Sequence, residues 1–157
     1  MKNIEIKTII EELKPDELSD ADRELVEAAR DATSRAYAPY SRFHVGSAIL
    51  LDNGEVVTGA NQENAAFSSG TCAERSACFY AGARYPGVAF RKIAIAAVGT
   101  DGKAVEQPIP PCGSCRQALL EYETLAGHDV EVLLTGADKV YRLPSIHSLL
   151  PLSFSTF

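Results

Sequence analysis

The chain has 157 residues, of which 46% are hydrophobic and 23% charged, and it carries a net charge of −6. That length makes one domain with room for a real core, and the unbiased composition is that of a globular protein. The acidic balance argues against a long nucleic-acid groove, which needs a basic stripe, and suits a soluble enzyme with a small substrate. No apolar run approaches the roughly 18 residues of a membrane helix. Met1 to Leu13 holds acidic residues and no long apolar run, so no secretory signal is expected and the cytoplasm is the expected compartment. Thiols stay reduced there, so the four cysteines read as ligands or buried thiols rather than disulfides.

In chain order, residues 1–18 read as an N-terminal extension and 19–157 as a single domain. Ile4, Ile6, Ile9, Ile10 and Leu13 have an ambiguous period that suits an edge strand or a short helix, and Pro15 interrupts it. Ser19 or Asp20 then caps a helix whose apolar face is Leu25, Ala28, Ala29, Ala32 and Ala36, ending before Pro39. Alternation from Val45 to Leu51, the pair Asn53-Gly54 and the run from Val56 to Ala60 predict a hairpin. A polar loop, 61–70, leads to a helix over 71–82. Lys92 to Val98 is a buried strand, and a proline-rich loop at 108–111 precedes a third helix over 113–125, closed by Gly127. Val130 to Leu134 and Val140 to Leu143 are further strands, and the tail from Ser148 to Phe154 is apolar. Helical crossovers between strands favour parallel pairing, so the order predicts an α/β fold with a mixed sheet and helices on both faces.

Chemistry concentrates in Thr71-Cys72-Ala73-Glu74-Arg75 and Pro111-Cys112-Gly113-Ser114-Cys115-Arg116. Cys72, Cys112 and Cys115 offer three thiolates to one zinc. Three soft ligands leave the fourth tetrahedral place open, the mark of a catalytic site, and a carboxylate beside that place can move protons. A zinc with three thiolates is a poor Lewis acid unless charge is drawn off the sulfurs. Two helix N-termini would draw some, and Arg75 could donate to a ligand sulfur. Each piece has a plainer reading. Thr71-x-x-Glu74 fits a capping box. Cys112-x-x-Cys115 fits a redox pair, which would leave Cys72 without a role. Cys78, six residues beyond Cys72 on a helix, reads as a small core side chain. His44, His128 and His147 lack ligand spacing.

Together these motifs resemble the cytidine deaminase family. The resemblance runs through Tyr37-Ala38-Pro39-Tyr40-Ser41-Arg42-Phe43-His44-Val45-Gly46, Gly59-Ala60-Asn61-Gln62-Glu63-Asn64-Ala65-Ala66-Phe67, both cysteine motifs and Leu149-Leu150-Pro151-Leu152-Ser153-Phe154. The cysteine motifs alone indicate a zinc-dependent deaminase; the Asn61 to Asn64 segment and the tail narrow it to the nucleoside branch.

The resemblance implies a three-layer α-β-α sandwich around a mixed five-stranded sheet, one Zn²⁺ per chain on Cys72, Cys112 and Cys115, and a homotetramer. It implies hydrolysis of cytidine and 2′-deoxycytidine to uridine and 2′-deoxyuridine with release of ammonia, in pyrimidine salvage. Glu74 would shuttle protons, and Arg75 would support the sulfurs from behind. The Ala73 backbone would read the pyrimidine edge, Phe43 would pack on the base, and Asn61 and Glu63 would hold the ribose 3′-hydroxyl. Phe154 would help to build a neighbouring subunit's site. The substrate is a free nucleoside, with no nucleic-acid or membrane partner. His44 stands where the family often has proline, and Phe67 where tyrosine is common; the leader before Ser19 is longer than in many members. Two other readings stay open: a deaminase of a cytosine nucleoside antibiotic such as blasticidin S, and a non-catalytic, zinc-stabilised binding protein.

Overall fold

The computed structural model describes residues 1–155, so the last two residues of the expected 19–157 domain lie outside the described residues. The elements are β1 (Glu11–Leu13), α1 (Asp20–Ala32), β2 (His44–Leu51), β3 (Val56–Ala60), α2 (Ala73–Arg84), β4 (Phe90–Val98), α3 (Gly113–Ala126), β5 (Glu131–Thr135) and β6 (Val140–Leu143). They build one sheet in the order β1-β6-β5-β4-β2-β3. β4 and β5 are parallel, and every other neighbouring pair is antiparallel. The crossover through α3 is what makes the parallel pair.

The sheet has six strands rather than the expected five. The additional one, β1, comes from the leader: Glu11 to Leu13 pair with Arg142 to Val140 of β6, covering backbone groups that an edge strand would otherwise leave unpaired. The Thr8 hydroxyl also donates to the Ser148 carbonyl at 3.0 Å, fastening the leader to the C-terminal segment.

Alternation along the strands sorts the core into two layers. Ile49, Leu51, Ile93, Ile95, Val132 and Leu134 lie in the layer with α2 and α3, where Phe90 of β4 stacks on Tyr122 of α3 at a centroid distance of 4.5 Å. Ala48, Ala94, Ala96 and Leu133 face α1, which contributes Leu25, Val26 and Ala29. Alanines on this side let α1 sit low, and at Gly46 an added Cβ would lie only 2.1 Å from the Ala29 carbonyl oxygen.

Ser19 caps α1, its hydroxyl accepting from the Asp22 amide at 3.1 Å. Asp22 is buried on α1 between Lys92 of β4 and Arg142 of β6, with Arg142 at 3.0 Å; Lys92 also meets Glu131 at 2.6 Å. Helical periodicity alone does not disclose a charged residue on the inner face of α1. Here two cations compensate the buried carboxylate and hold it below the usual carboxylate range against the opposing pull of desolvation.

Candidate metal centre and substrate cleft

Two helix starts bring the site together. Cys72 is the N-cap of α2 and Cys112 the N-cap of α3, both in extended conformation. Cys115 lies one turn into α3 and is fully buried. The capping box that the spacing of Thr71 and Glu74 also allows does not form, because the helix begins one residue later, at Ala73. The Glu74 carboxylate meets its own backbone amide in the first turn and also stands in the wall of the cleft.

The three sulfurs lie within 4.8 Å of one another, with Cys72 to Cys112 at 4.0 Å and Cys112 to Cys115 at 3.5 Å. A tetrahedral zinc with sulfurs at about 2.3 Å has S–S edges of about 3.8 Å. The sulfur triangle thus has the size of one face of a zinc tetrahedron. Donor type agrees as well: thiolates are soft ligands that zinc favours. Arg75 points Nη2 at the Cys72 sulfur, 3.7 Å away. The Cys72 thiol falls to about 5, chiefly through its hydrogen bond with Cys115 and further through Arg75, while Cys115 moves up against its ionised neighbour. The triad and one zinc per chain fit one another.

Glu74 is 4% exposed in the first turn of α2, and burial, reinforced by the Cys72 charge, raises its carboxyl above the ordinary range. It lies in the wall of a cleft of about 690 Å³ with Cys72, Cys112, Ala73 and Arg75. Phe43, Asn61 and Glu63 line the same cleft. The Asn61 amide is pinned at the entry to β2, its Oδ1 accepting from the Val45 amide at 2.8 Å and its Nδ2 donating to the Phe43 carbonyl at 3.0 Å. An amide oxygen and an amino group each have one further hydrogen-bonding site, so the side chain can still meet a hydroxyl. The Ser41 side chain bonds the Glu63 carboxylate, and one Glu63 oxygen also accepts from the amides of Tyr40 and Ser41, at 2.9 and 3.2 Å, which together hold its carboxyl below the usual range.

Phe154 differs in placement. It is 70% exposed, its carbonyl accepts from Gln117 Nε2 at 2.8 Å, and it does not line the cleft of its own chain. Cys78 is fully buried with its thiol pushed up to about 12, mainly by desolvation, as suits an inert core side chain. None of the three histidines joins the sulfur cluster among the described residues.

Sequence reading did not single out Ile109 and Pro110, which form apolar wall beside Cys112. The signal was available: an aliphatic residue inside a proline-rich loop that leads straight into a metal motif. Nor did it find the turn before Phe43, where Arg42 adopts φ 54°, the one positive φ at a non-glycine among the described residues.

Residues 19–126 match the family described as the cytidine and deoxycytidylate deaminase zinc-binding region. A cytidine deaminase of Halalkalibacterium halodurans is 39% identical over 133 residues, 83% of this chain and 92% of that protein. A cytidine deaminase of Sporosarcina psychrophila is 37% identical over 83% of this chain and 89% of its own length. The crystal structure of cytidine deaminase from Burkholderia pseudomallei superposes with a TM-score of 0.71 at 40% identity, covering 87% of this chain and all of that one. With more than half of the chain inside the family match and relatives above 30% identity over most of its length, the sulfur triad has its context: the chain belongs to the cytidine and deoxycytidylate deaminase zinc-binding family.

Proposed function

We propose that this protein is a zinc-dependent hydrolase that converts cytidine and 2′-deoxycytidine to uridine and 2′-deoxyuridine, releasing ammonia, in pyrimidine salvage. The observation that carries this reading is a cluster of three sulfurs at the wall of one cleft, where Cys72, Cys112 and the buried Glu74 carboxylate stand beside residues that suit a base and a sugar. Cys72, Cys112 and Cys115 would hold the zinc, which when bound supplies Lewis acidity for the activation of water at neutral pH.

The chain's own residues do the remaining work. Glu74 takes a proton from the attacking water and gives it to N3 of the pyrimidine, which makes C4 electron-poor. A second proton passes through the same carboxylate to the departing amine, so water and cytidine become uridine and ammonia with no net change at Glu74. The Ala73 backbone at the start of α2, where helix amides lack intrahelical partners, reads the pyrimidine edge. Phe43 packs on the base, and Asn61 with Glu63 holds the 3′-hydroxyl. A free nucleoside fits better than a polynucleotide, because a 3′-hydroxyl gripped by Asn61 and Glu63 leaves no room for a continuing phosphate.

The test pairs loss of cytidine absorbance with metal analysis of the same preparation. Turnover with about one zinc per chain supports the reading. Zinc without turnover of cytidine or deoxycytidine overturns it in favour of a binding protein, and turnover of blasticidin S alone overturns it in favour of an antibiotic deaminase. For the sugar subsite, Glu63→Gln is expected to raise KM for cytidine about tenfold with little change in kcat, since a charge-assisted hydrogen bond to a non-reacting group is lost. An unchanged KM removes Glu63 from that role.

The assembly follows from the same reading as a homotetramer in which Phe154 of one chain completes a neighbour's site. Phe79, Tyr80, Leu125, Leu152 and Phe154, all more than half exposed in the single chain, are the apolar surface that supports it. Sedimentation is expected to give four times the 16.9 kDa chain, and a monomer would refute the shared site. The cytoplasm is the proposed compartment. No described helix is long and apolar enough to cross a membrane, and reactive thiolates of this kind persist in a reducing environment. Recovery of the protein from the secreted fraction of its cells would overturn that placement.

A further inference from the structure

Arg116 follows Cys115 directly but does not face the sulfurs. Its Nε donates to the Pro111 carbonyl and its Nη1 to the Leu149 carbonyl, each at 2.8 Å. Pro111 is the buried residue immediately before Cys112, so the first bond fixes the peptide that presents a metal ligand. Leu149 is also buried and begins the C-terminal segment, which Gln117 holds again at the Phe154 carbonyl. The planar guanidinium reaches two carbonyls from one side chain, a fork that a lysine ammonium does not supply. The two arginines of the cysteine motifs thus divide their work: Arg75 meets a ligand sulfur, and Arg116 meets the backbone that carries one.

We propose that Arg116 is a positioning residue for the metal centre, holding the Pro111–Cys112 peptide in ligating conformation and anchoring that peptide to the C-terminal segment at Leu149. The role rests on the zinc reading above. Without the guanidinium the Pro111 carbonyl loses its charged donor, and Cys112, the exposed member of the triad, loses the backbone restraint beside it.

The readout is the rate at which zinc-loaded protein gives up its metal to excess chromogenic chelator, measured for the parent, Arg116→Met, Arg116→Lys and Gln117→Ala. Outer contacts of metal ligands typically govern affinity by 10- to 100-fold, so Arg116→Met is expected to release zinc about 10- to 100-fold faster than the parent. Arg116→Lys is expected to release it faster as well, because one ammonium does not hold both carbonyls. Gln117→Ala, which removes the Gln117 donor to the Phe154 carbonyl and leaves Pro111 held, is expected to match the parent. If Arg116→Met does not fold, Arg116→Lys decides alone. Release within twofold of the parent from both arginine variants overturns the role, and so does equally fast release from Gln117→Ala, which would assign the effect to the tail. A parent that takes up no zinc overturns the zinc reading itself; a zinc-loaded parent with unaffected variants overturns only the role of Arg116.

Discussion

Glu74→Gln is expected to lower kcat for cytidine by about three to four orders of magnitude while the protein keeps its zinc, because a general acid–base group that serves successive proton transfers is removed without changing its size. The side chain is 4% exposed, so a glutamine fills the same space and leaves no cavity. Its amide accepts a hydrogen bond where the carboxylate did, but it has no useful basicity and takes no proton from water. The helix start survives the change, since α2 begins at Ala73 with Cys72 as its cap and the glutamine oxygen can accept from the residue 74 amide as the carboxylate does. The sulfurs likewise stay where the two helix starts place them. Coupled ammonia detection and zinc analysis on one sample separate the outcomes. Full turnover refutes the proton shuttle; loss of turnover together with zinc makes Glu74 a structural support of the metal site.

The metal site was legible in the sequence because its parts are local. Cys72 and Glu74 are two residues apart, Cys112 and Cys115 three, and each pair opens a segment that reads as a helix, 71–82 and 113–125. Gly127 as the end of α3 was legible for the same reason, its φ of 71° being a turn conformation natural to glycine. What escaped were features fixed by contacts distant along the chain. For the leader an edge strand is one of the two readings open in the sequence; its partner is what escaped, since nothing between Met1 and Leu13 points to β6. Thr71 and Glu74 have the right spacing for a capping box, yet the helix starts one residue later, with Cys72 at its cap and in the sulfur triad. Local spacing gave two valid solutions there, and the tertiary site admits one. The helical spacing of α1 carries no sign that Asp22 is buried, because its partners Lys92 and Arg142 come from remote strands.

Gly59 illustrates the same limit and gives the second large effect. It lies in β3 opposite Ser47 of β2, beneath the first turns of α2. A Cβ added there would stand 2.5 Å from the Ala77 nitrogen and 2.6 Å from the Ala73 carbonyl oxygen. Both neighbours are backbone, so no side-chain rotation relieves the contact, and α2 has to lift by about 1 Å to restore ordinary van der Waals spacing. That helix carries Cys72 and Glu74, whereas Cys112 and Cys115 stay with α3. The displacement exceeds the roughly 0.2 Å tolerance of metal–ligand distances. Gly59→Ala is therefore expected to cost about 1–3 kcal/mol of stability as an overpacking change, to reduce zinc occupancy of the folded protein, and to lower kcat/KM about a hundredfold through misplacement of the reacting groups. Gly46→Ala is the contrasting variant. Its Cβ meets α1 on the opposite face of the sheet, 2.1 Å from the Ala29 carbonyl oxygen. It is expected to destabilise at least as much while the fraction that remains folded keeps its zinc, since α1 carries none of the sulfurs. Thermal melts with metal analysis of the folded fraction distinguish the two. Equal zinc occupancy in both variants would show that the close approach at Gly59 supports the fold alone and does not set the position of Cys72.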